Sequence, residues 1–185
     1  MTTITVPAAI VSALLVTTAK KDVRQCLLGI HFNNKVNQLE SSDGHRLSIV
    51  SVDVADLDLT ELPDNTIAQL HGKIPAKSEN VSFDFKTKVA TCTNLGNAVV
   101  ALVPFELITA VFPAVNRVTP TFIEDTEIGF IYCNAGYLAD ACKQAKLLSV
   151  GKYNGLKLIN TTNGAKYRLT HKGYDLNGYI MGMRE

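Results

Sequence analysis

Between positions 27 and 54 the chain breaks into three short β-rich runs, 27–32, 36–40 and 46–54, cut apart by Asn33-Asn34 and Asp43-Gly44. Both pairs are turn signals, and Asp-Gly in particular accepts the left-handed backbone of a tight reversal. The three runs therefore read as an antiparallel meander. Ahead of them, Pro7 pre-sets φ for a first helical turn, and Ile10, Val11, Leu14, Leu15 and Thr18 recur at helical spacing. That spacing predicts a helix over 7–19. Runs 81–85, 89–93 and 97–103 continue the β pattern, and 104–112 has the spacing of a short helix.

Thr119-Pro120 interrupts the pattern. Beyond it the sequence predicts a strand over 128–132, then a helix capped by Asn134 that carries Leu138, Ala141, Cys142, Ala145 and Leu148 inward. Strands at 156–159, 167–170 and 179–183 follow. The order strand, helix, strand, strand thus occurs twice, marking a repeated supersecondary unit. In each copy the first strand after the helix opens beside a glycine, in Leu28-Gly29-Ile30-His31-Phe32 and in Asn154-Gly155-Leu156-Lys157-Leu158. The fold class is α+β, with antiparallel sheets and a helix packed on each unit.

Composition excludes several classes. With 185 residues, 46% of them hydrophobic, the chain buries a core without help from disulfides or a metal. The longest apolar helical stretch, 8–19, is too short and too rich in Ser and Thr to span a bilayer, and the first residues lack the basic region of a signal peptide. A cytoplasmic location is expected, in which the sequons at Asn80 and Asn160 are incidental. Cys26, Cys92, Cys133 and Cys142 are widely spaced with no Cys-x-x-Cys, which reads as reduced thiols rather than a zinc site. There is no phosphate-binding Gly-rich loop, no paired acid cluster and no nucleophile motif, and Asp43 with His45 lacks a third partner, so no enzyme is expected. The formal net charge of +1 provides no global field for nucleic acid, so any DNA contact comes from a local patch.

The run Lys21-Asp22-Val23-Arg24-Gln25-Cys26-Leu27-Leu28-Gly29-Ile30, followed by Ser42-Asp43-Gly44-His45-Arg46-Leu47, resembles the middle domain of the bacterial DNA polymerase III β sliding clamp. Further matches follow in the family's order: Lys73-Ile74-Pro75-Ala76-Lys77, then Phe112-Pro113-Ala114-Val115-Asn116-Arg117-Val118-Thr119-Pro120, then Met181-Gly182-Met183-Arg184. The resemblance implies a clamp-like fold with residues 1–118 matching the middle domain and 119–185 part of the last domain. The family's first domain has no counterpart, and the interval between Lys77 and Val81 leaves no room for the second helix of the middle domain.

In that family, polymerases and the clamp loader insert a short peptide into an apolar groove between the middle and last domains. The resemblance places Leu27, Ser42, Gly44, His45, Arg46 and Leu47 on one side of such a groove, Pro113, Arg117 and Val118 at the linker, and Met181, Gly182, Met183 and Arg184 at the tail. The residue types suit the task. Leu27, Leu47, Val118 and Met183 offer an apolar pocket, Gly44 lets backbone approach a ligand, and Arg46 and Arg117 hold peptide carbonyls or carboxylates. Each also has a plainer reading: Asp43-Gly44 as a hairpin, His45 as a turn residue, the leucines as core and the two methionines as sheet cover. Their coincidence at groove positions favours the groove.

For DNA the candidates are Lys20, Lys21 and Arg24 after the first helix and Lys143, Lys146 and Lys152 on or after the second, set against the plain reading of cations at helix C-termini. Gln25-Cys26 stands where the family has an aromatic pair, which removes a stacking surface. Two functions remain open: a processivity factor whose copies close a ring around double-stranded DNA without sequence specificity, or a peptide-binding adaptor or decoy without a ring. Neither implies a cofactor, a metal or a membrane, and a homo-oligomer is compatible with both.

Overall fold

The computed structural model describes residues 3–52, 57–119, 132–149, 155–161 and 164–183. In chain order the elements are β1 (Thr3–Pro7), α1 (Ala8–Thr17), β2 (Ile30–Asn33), β3 (Gln38–Ser42), β4 (Arg46–Val52), β5 (Thr66–Leu70), β6 (Asn80–Asp84) and β7 (Val89–Thr93). They continue as β8 (Val99–Leu107), α2 (Val115–Val118), α3 (Ala135–Leu148), β9 (Ile159–Thr161), β10 (Gly164–His171) and β11 (Tyr174–Met181). Among the described residues the strands join in one sheet of order β1-β6-β7-β8-β5-β2-β3-β4-β11-β10-β9, with neighbours antiparallel. The α+β class is as the sequence predicts, and the sheet runs unbroken across position 118.

The meander β2-β3-β4 and the meander β9-β10-β11 each follow a helix, and they meet edge to edge where β4 pairs with β11. α1 and α3 pack against each other on one face of this joint. Between them lies a buried polar node. The Gln144 side chain donates to the Ala13 carbonyl at 2.8 Å and to Ser48 Oγ at 3.0 Å, and it accepts from the Tyr167 hydroxyl. Thr17 and Ser41 share a hydrogen bond of 2.6 Å alongside it. Burial pushes the Tyr167 phenol well above its usual range, so it stays a neutral donor. These polar groups are fully paired, which is why their burial is tolerated.

Several expectations need correcting. The first strand after α1 begins at Ile30, because Gln25–Leu27 form a 3-10 turn closed by the Leu28 amide on the Gln25 carbonyl. Residues 104–112 form no helix. Val103 and Phe105 alternate inward on β8, the Pro104 carbonyl accepts from the His71 amide, and the Ile108 amide pairs with the Ile67 carbonyl. On α3, Asn134 caps the first turn by accepting from the Gly136 amide at 2.8 Å, as expected, but Cys142 is exposed and Gln144 takes the inward position. Leu138 is half-buried. The expected strand at 156–159 is displaced to Ile159–Thr161. The expected strand over 128–132 lies outside the described residues up to Tyr132.

β1 and β5 are additional strands. Residues 71–79 run from β5 to β6 without a helix; Phe32, Phe83, Phe85 and Phe105 meet edge to face, and Ile74 packs against the same core.

Candidate functional site

The β3–β4 turn is built by its own side chains. Asp43 Oδ1 accepts from the His45 and Arg46 amides at 2.9 and 2.8 Å, and Ser42 Oγ accepts from the Gly44 amide at 3.0 Å while donating to the Arg46 carbonyl at 2.7 Å. Gly44 has φ +87°, and a Cβ there would meet the Arg24 guanidinium at 2.5 Å. The positive φ favours glycine at this position, whereas the half-exposed Arg24 side chain could swing aside from a Cβ.

Arg46 points to the helices, not to the outer surface. Its guanidinium makes a two-pronged bond to Asp43 Oδ2 at 2.9 and 2.7 Å, a third bond to Asp140 on α3, and lies 4.7 Å from the centre of the Tyr137 ring. Burial works against its charge, but the bonds to Asp43 and Asp140 outweigh it and hold its pKa above the usual value. Three of its five N–H groups lock the hairpin to α3 and the side chain is only 9% exposed, so Arg46 offers little surface for the ligand carboxylate it was expected to grip. His45 is exposed and stacks on the same Tyr137 ring at 5.8 Å.

β11 crosses beside this hairpin. Leu47 pairs with Tyr179, the Met181 amide donates to the His45 carbonyl at 2.9 Å, Gly182 bridges Cys133, and the Met183 amide reaches the Tyr132 carbonyl at 2.8 Å. Tyr132, Met181 and Met183 are 54%, 55% and 48% exposed, an apolar surface beside the nearly covered Leu47. Isolated exposed apolar groups are ordinary, whereas contiguous ones on paired backbones mark an interaction surface.

The remaining sequence candidates divide. Leu27 is fully buried with Ile67, Ile108 and Phe112 in a separate cluster beneath the segment leading to α2, so it forms core rather than open groove wall. Phe112 also stacks on His31, whose ring is bonded to Glu40. Pro113 and Arg117 are exposed, and the Val118 side chain and Arg184 lie outside the described residues. Lys20, Lys21, Arg24, Lys143 and Lys146 are exposed, with Arg24 tied to Asp22, and Lys152 is outside the described residues. The Arg24 side-chain and backbone bonds pull the Asp22 carboxyl down to about 2. Among the described residues, no group of three His, Cys, Asp or Glu side chains is placed to hold a metal ion.

Sequence reasoning missed Tyr137, Asp140 and Tyr179 as partners of this site. Tyr137 sits in the first turns of α3 and Tyr179 in the last strand. The β4–β11 register brings Tyr179 beside Leu47, and α3 presents Tyr137 to His45 and Arg46.

No family model and no curated relative matches the chain. Solved structures do. DNA polymerase III subunit beta from Pseudomonas aeruginosa is 16% identical, covers 100% of this chain and 67% of its own, and has a TM-score of 0.46. The DNA polymerase sliding clamp from Bacillus subtilis is 16% identical, with 99% of this chain and 50% of its own covered and a TM-score of 0.42. A sliding clamp from Bartonella birtlesii, bound to griselimycin, is 19% identical, with 99% and 52% covered and a TM-score of 0.42. Along its whole length, the chain is therefore similar to bacterial DNA polymerase III β sliding clamps, and it spans between half and two-thirds of theirs.

Proposed function

We propose that the chain is a sliding-clamp-like replication protein that binds short peptides of polymerase or clamp-loader partners on the surface formed by Leu47, Tyr179, Met181 and Met183. In this reading 1–118 is a middle-domain-like part and 119–185 a last-domain-like part, and the chain is non-catalytic. The observation that carries it is the β4–β11 register, which sets exposed Met181 beside the hairpin at His45 and pairs Tyr179 with Leu47. Methionine adapts its shape to varied apolar ligands, as a shared docking surface requires.

Griselimycin, the compound bound in a similar clamp, is a direct probe. Titrated by calorimetry it is expected to bind saturably, and Met181→Glu, placed at a half-exposed position that the fold tolerates, is expected to weaken binding at least about tenfold. No saturable binding, or an unaltered affinity in the variant, removes the assignment.

One observation favours the adaptor reading over a ring around DNA: α1, Ala8–Thr17, carries no charged residue at all. Phosphate contact would then rest on Lys143 and Lys146 of α3 with Lys20, Lys21 and Arg24. A processivity factor of this kind would hold duplex DNA with a slope of roughly −0.9 in log affinity against log salt per phosphate neutralised. The adaptor reading expects no retention of duplex even at low salt, measured by anisotropy of a labelled duplex.

A further inference from the structure

We infer that the protein carries a second ligand site, a cavity of about 350 Å³ between the Gln25–Leu27 turn and the paired ends of β5 and β8, and that it takes an aliphatic primary amine. The site does not depend on the peptide-binding reading. Gln69 on β5 and Glu106 on β8 are directly paired, so their side chains leave the sheet on one face. Ile67, two residues before Gln69, shares that face and packs with Leu27, Ile108 and Phe112. Ile67 also pairs with His31, and His31 with Glu40, whose neighbour Ser41 is bonded to Thr17 of α1. Side chains alternate along a strand, so the cavity opens on the face turned away from the helices.

Short backbone contacts hold its walls. The Leu28 amide closes the turn on the Gln25 carbonyl at 3.0 Å, and residues three apart in such a turn lie one above the other, which brings Gln25 and Leu28 to the cavity together. At the end of β8, the Ile108 amide donates to the Ile67 carbonyl at 3.0 Å and fixes the stretch from Leu107 to Thr109 along the rim.

The lining chemistry selects the guest. The Glu106 carboxylate, the Gln25 and Gln69 amides and the Thr109 hydroxyl stand beside Leu28, Leu107 and Ile108, and no Lys, Arg or His lines the cavity. Among the described residues, the Gln25, Gln69 and Thr109 side chains engage no hydrogen-bond partner. His71 Nε2 lies 3.6 Å from Glu106 Oε1, longer than a hydrogen bond, with both side chains open to solvent. An ammonium brings three N–H donors and no acceptor, so a carboxylate and neutral oxygens satisfy it while its methylene stem lies on the leucine and isoleucine side chains. An anion would face Glu106 with no cation in the lining, and an apolar guest would strip water from the polar side chains without replacing their bonds.

The test follows the backbone and side-chain amide NMR signals of the isotope-labelled protein at about pH 8, where an amine is charged and an exposed imidazole is neutral. Pentylamine is expected to shift the signals of Gln25, Gln69, Glu106 and Thr109 saturably, with a dissociation constant in the millimolar range, while pentanol and pentanoate at equal concentration leave them in place. Glu106→Gln, at an exposed position, should weaken pentylamine at least about fivefold, the range of a solvent-accessible ion pair. Asp64→Asn, which removes an exposed charge outside the cavity, should alter nothing. Two further probes separate the sources of such an amine. Nα-acetyl-lysine methylamide stands for a lysine on a partner protein and spermidine for a free polyamine, and whichever binds more tightly names the source. No saturable shift with pentylamine, equal shifts with pentanol, or undiminished affinity in a folded Glu106→Gln protein overturns the inference. Griselimycin affinity is read separately and should be unchanged by Glu106→Gln; a joint loss of both affinities would trace the effect to the fold and overturn the assignment of Glu106.

Discussion

Gly178→Ala is expected to lower stability by about 1–3 kcal/mol, the usual cost of forcing a methyl into a packed interior. The reason is specific: a Cβ at Gly178 would lie 2.0 Å from the Tyr167 ring, which crosses the glycine to reach Gln144. Tyr167 is itself 1% exposed, and Tyr167→Ala should cost about 3–5 kcal/mol through lost packing and an orphaned amide oxygen on Gln144. The two changes touch one contact, so they should not add. With the ring gone, the extra methyl fills space instead of clashing, and the double variant should be more stable than the sum predicts. Urea unfolding of the four proteins gives the coupling directly. Strict additivity would mean that the sheet yields at Gly178 and that the ring does not determine the residue there.

Arg46→Ala should cost about 3–5 kcal/mol, comparable to the loss of a core aromatic, although the residue is the most polar on its strand. Arg46 is 9% exposed and its side chain satisfies Asp43 and Asp140 at once. Removing it leaves Asp43, 14% exposed, without its cation, while Asp140, 39% exposed, is compensated by water, so the penalty comes mainly from Asp43 and the lost packing of the Arg46 stem. Arg46→Lys restores a charge but not the planar fork that reaches both carboxylates, so it should recover only part of the stability. Since Asp43 also closes the hairpin turn, loss of Arg46 is expected to loosen His45 and Met181 and to weaken griselimycin binding together with stability. A stable Arg46→Ala protein with unchanged binding would show that the hairpin holds its shape without α3.

Local features were legible because they depend on residues close in the chain. Asp43-Gly44 announces a reversal, and Ser42 and Asp43 supply every bond that closes it. The apolar spacing of α1, the Asn134 cap of α3 and the bounds of β7 follow from the same short-range rules. That no helix fits between Lys77 and Val81 followed from the resemblance together with the length of that interval, and residues 71–79 run without one.

What tertiary structure decided is which side each strand residue faces and what it meets. Side chains alternate with a period of two, so a shift of one residue in the β4–β11 pairing would exchange the two faces. That pairing joins residues more than a hundred positions apart, and no local pattern encodes it. It turns Arg46 inward to Asp140, sets Tyr179 and Lys166 in line with Leu47, and leaves Met181 open to solvent. The same long-range packing buries Gln144 where periodicity favoured Cys142, because two acceptors and one donor on neighbouring elements complete its side chain. Leu27 became core for the same kind of reason. The segment at Ile108 and Phe112 folds over it, a closure that alternating hydrophobicity cannot distinguish from an open pocket wall.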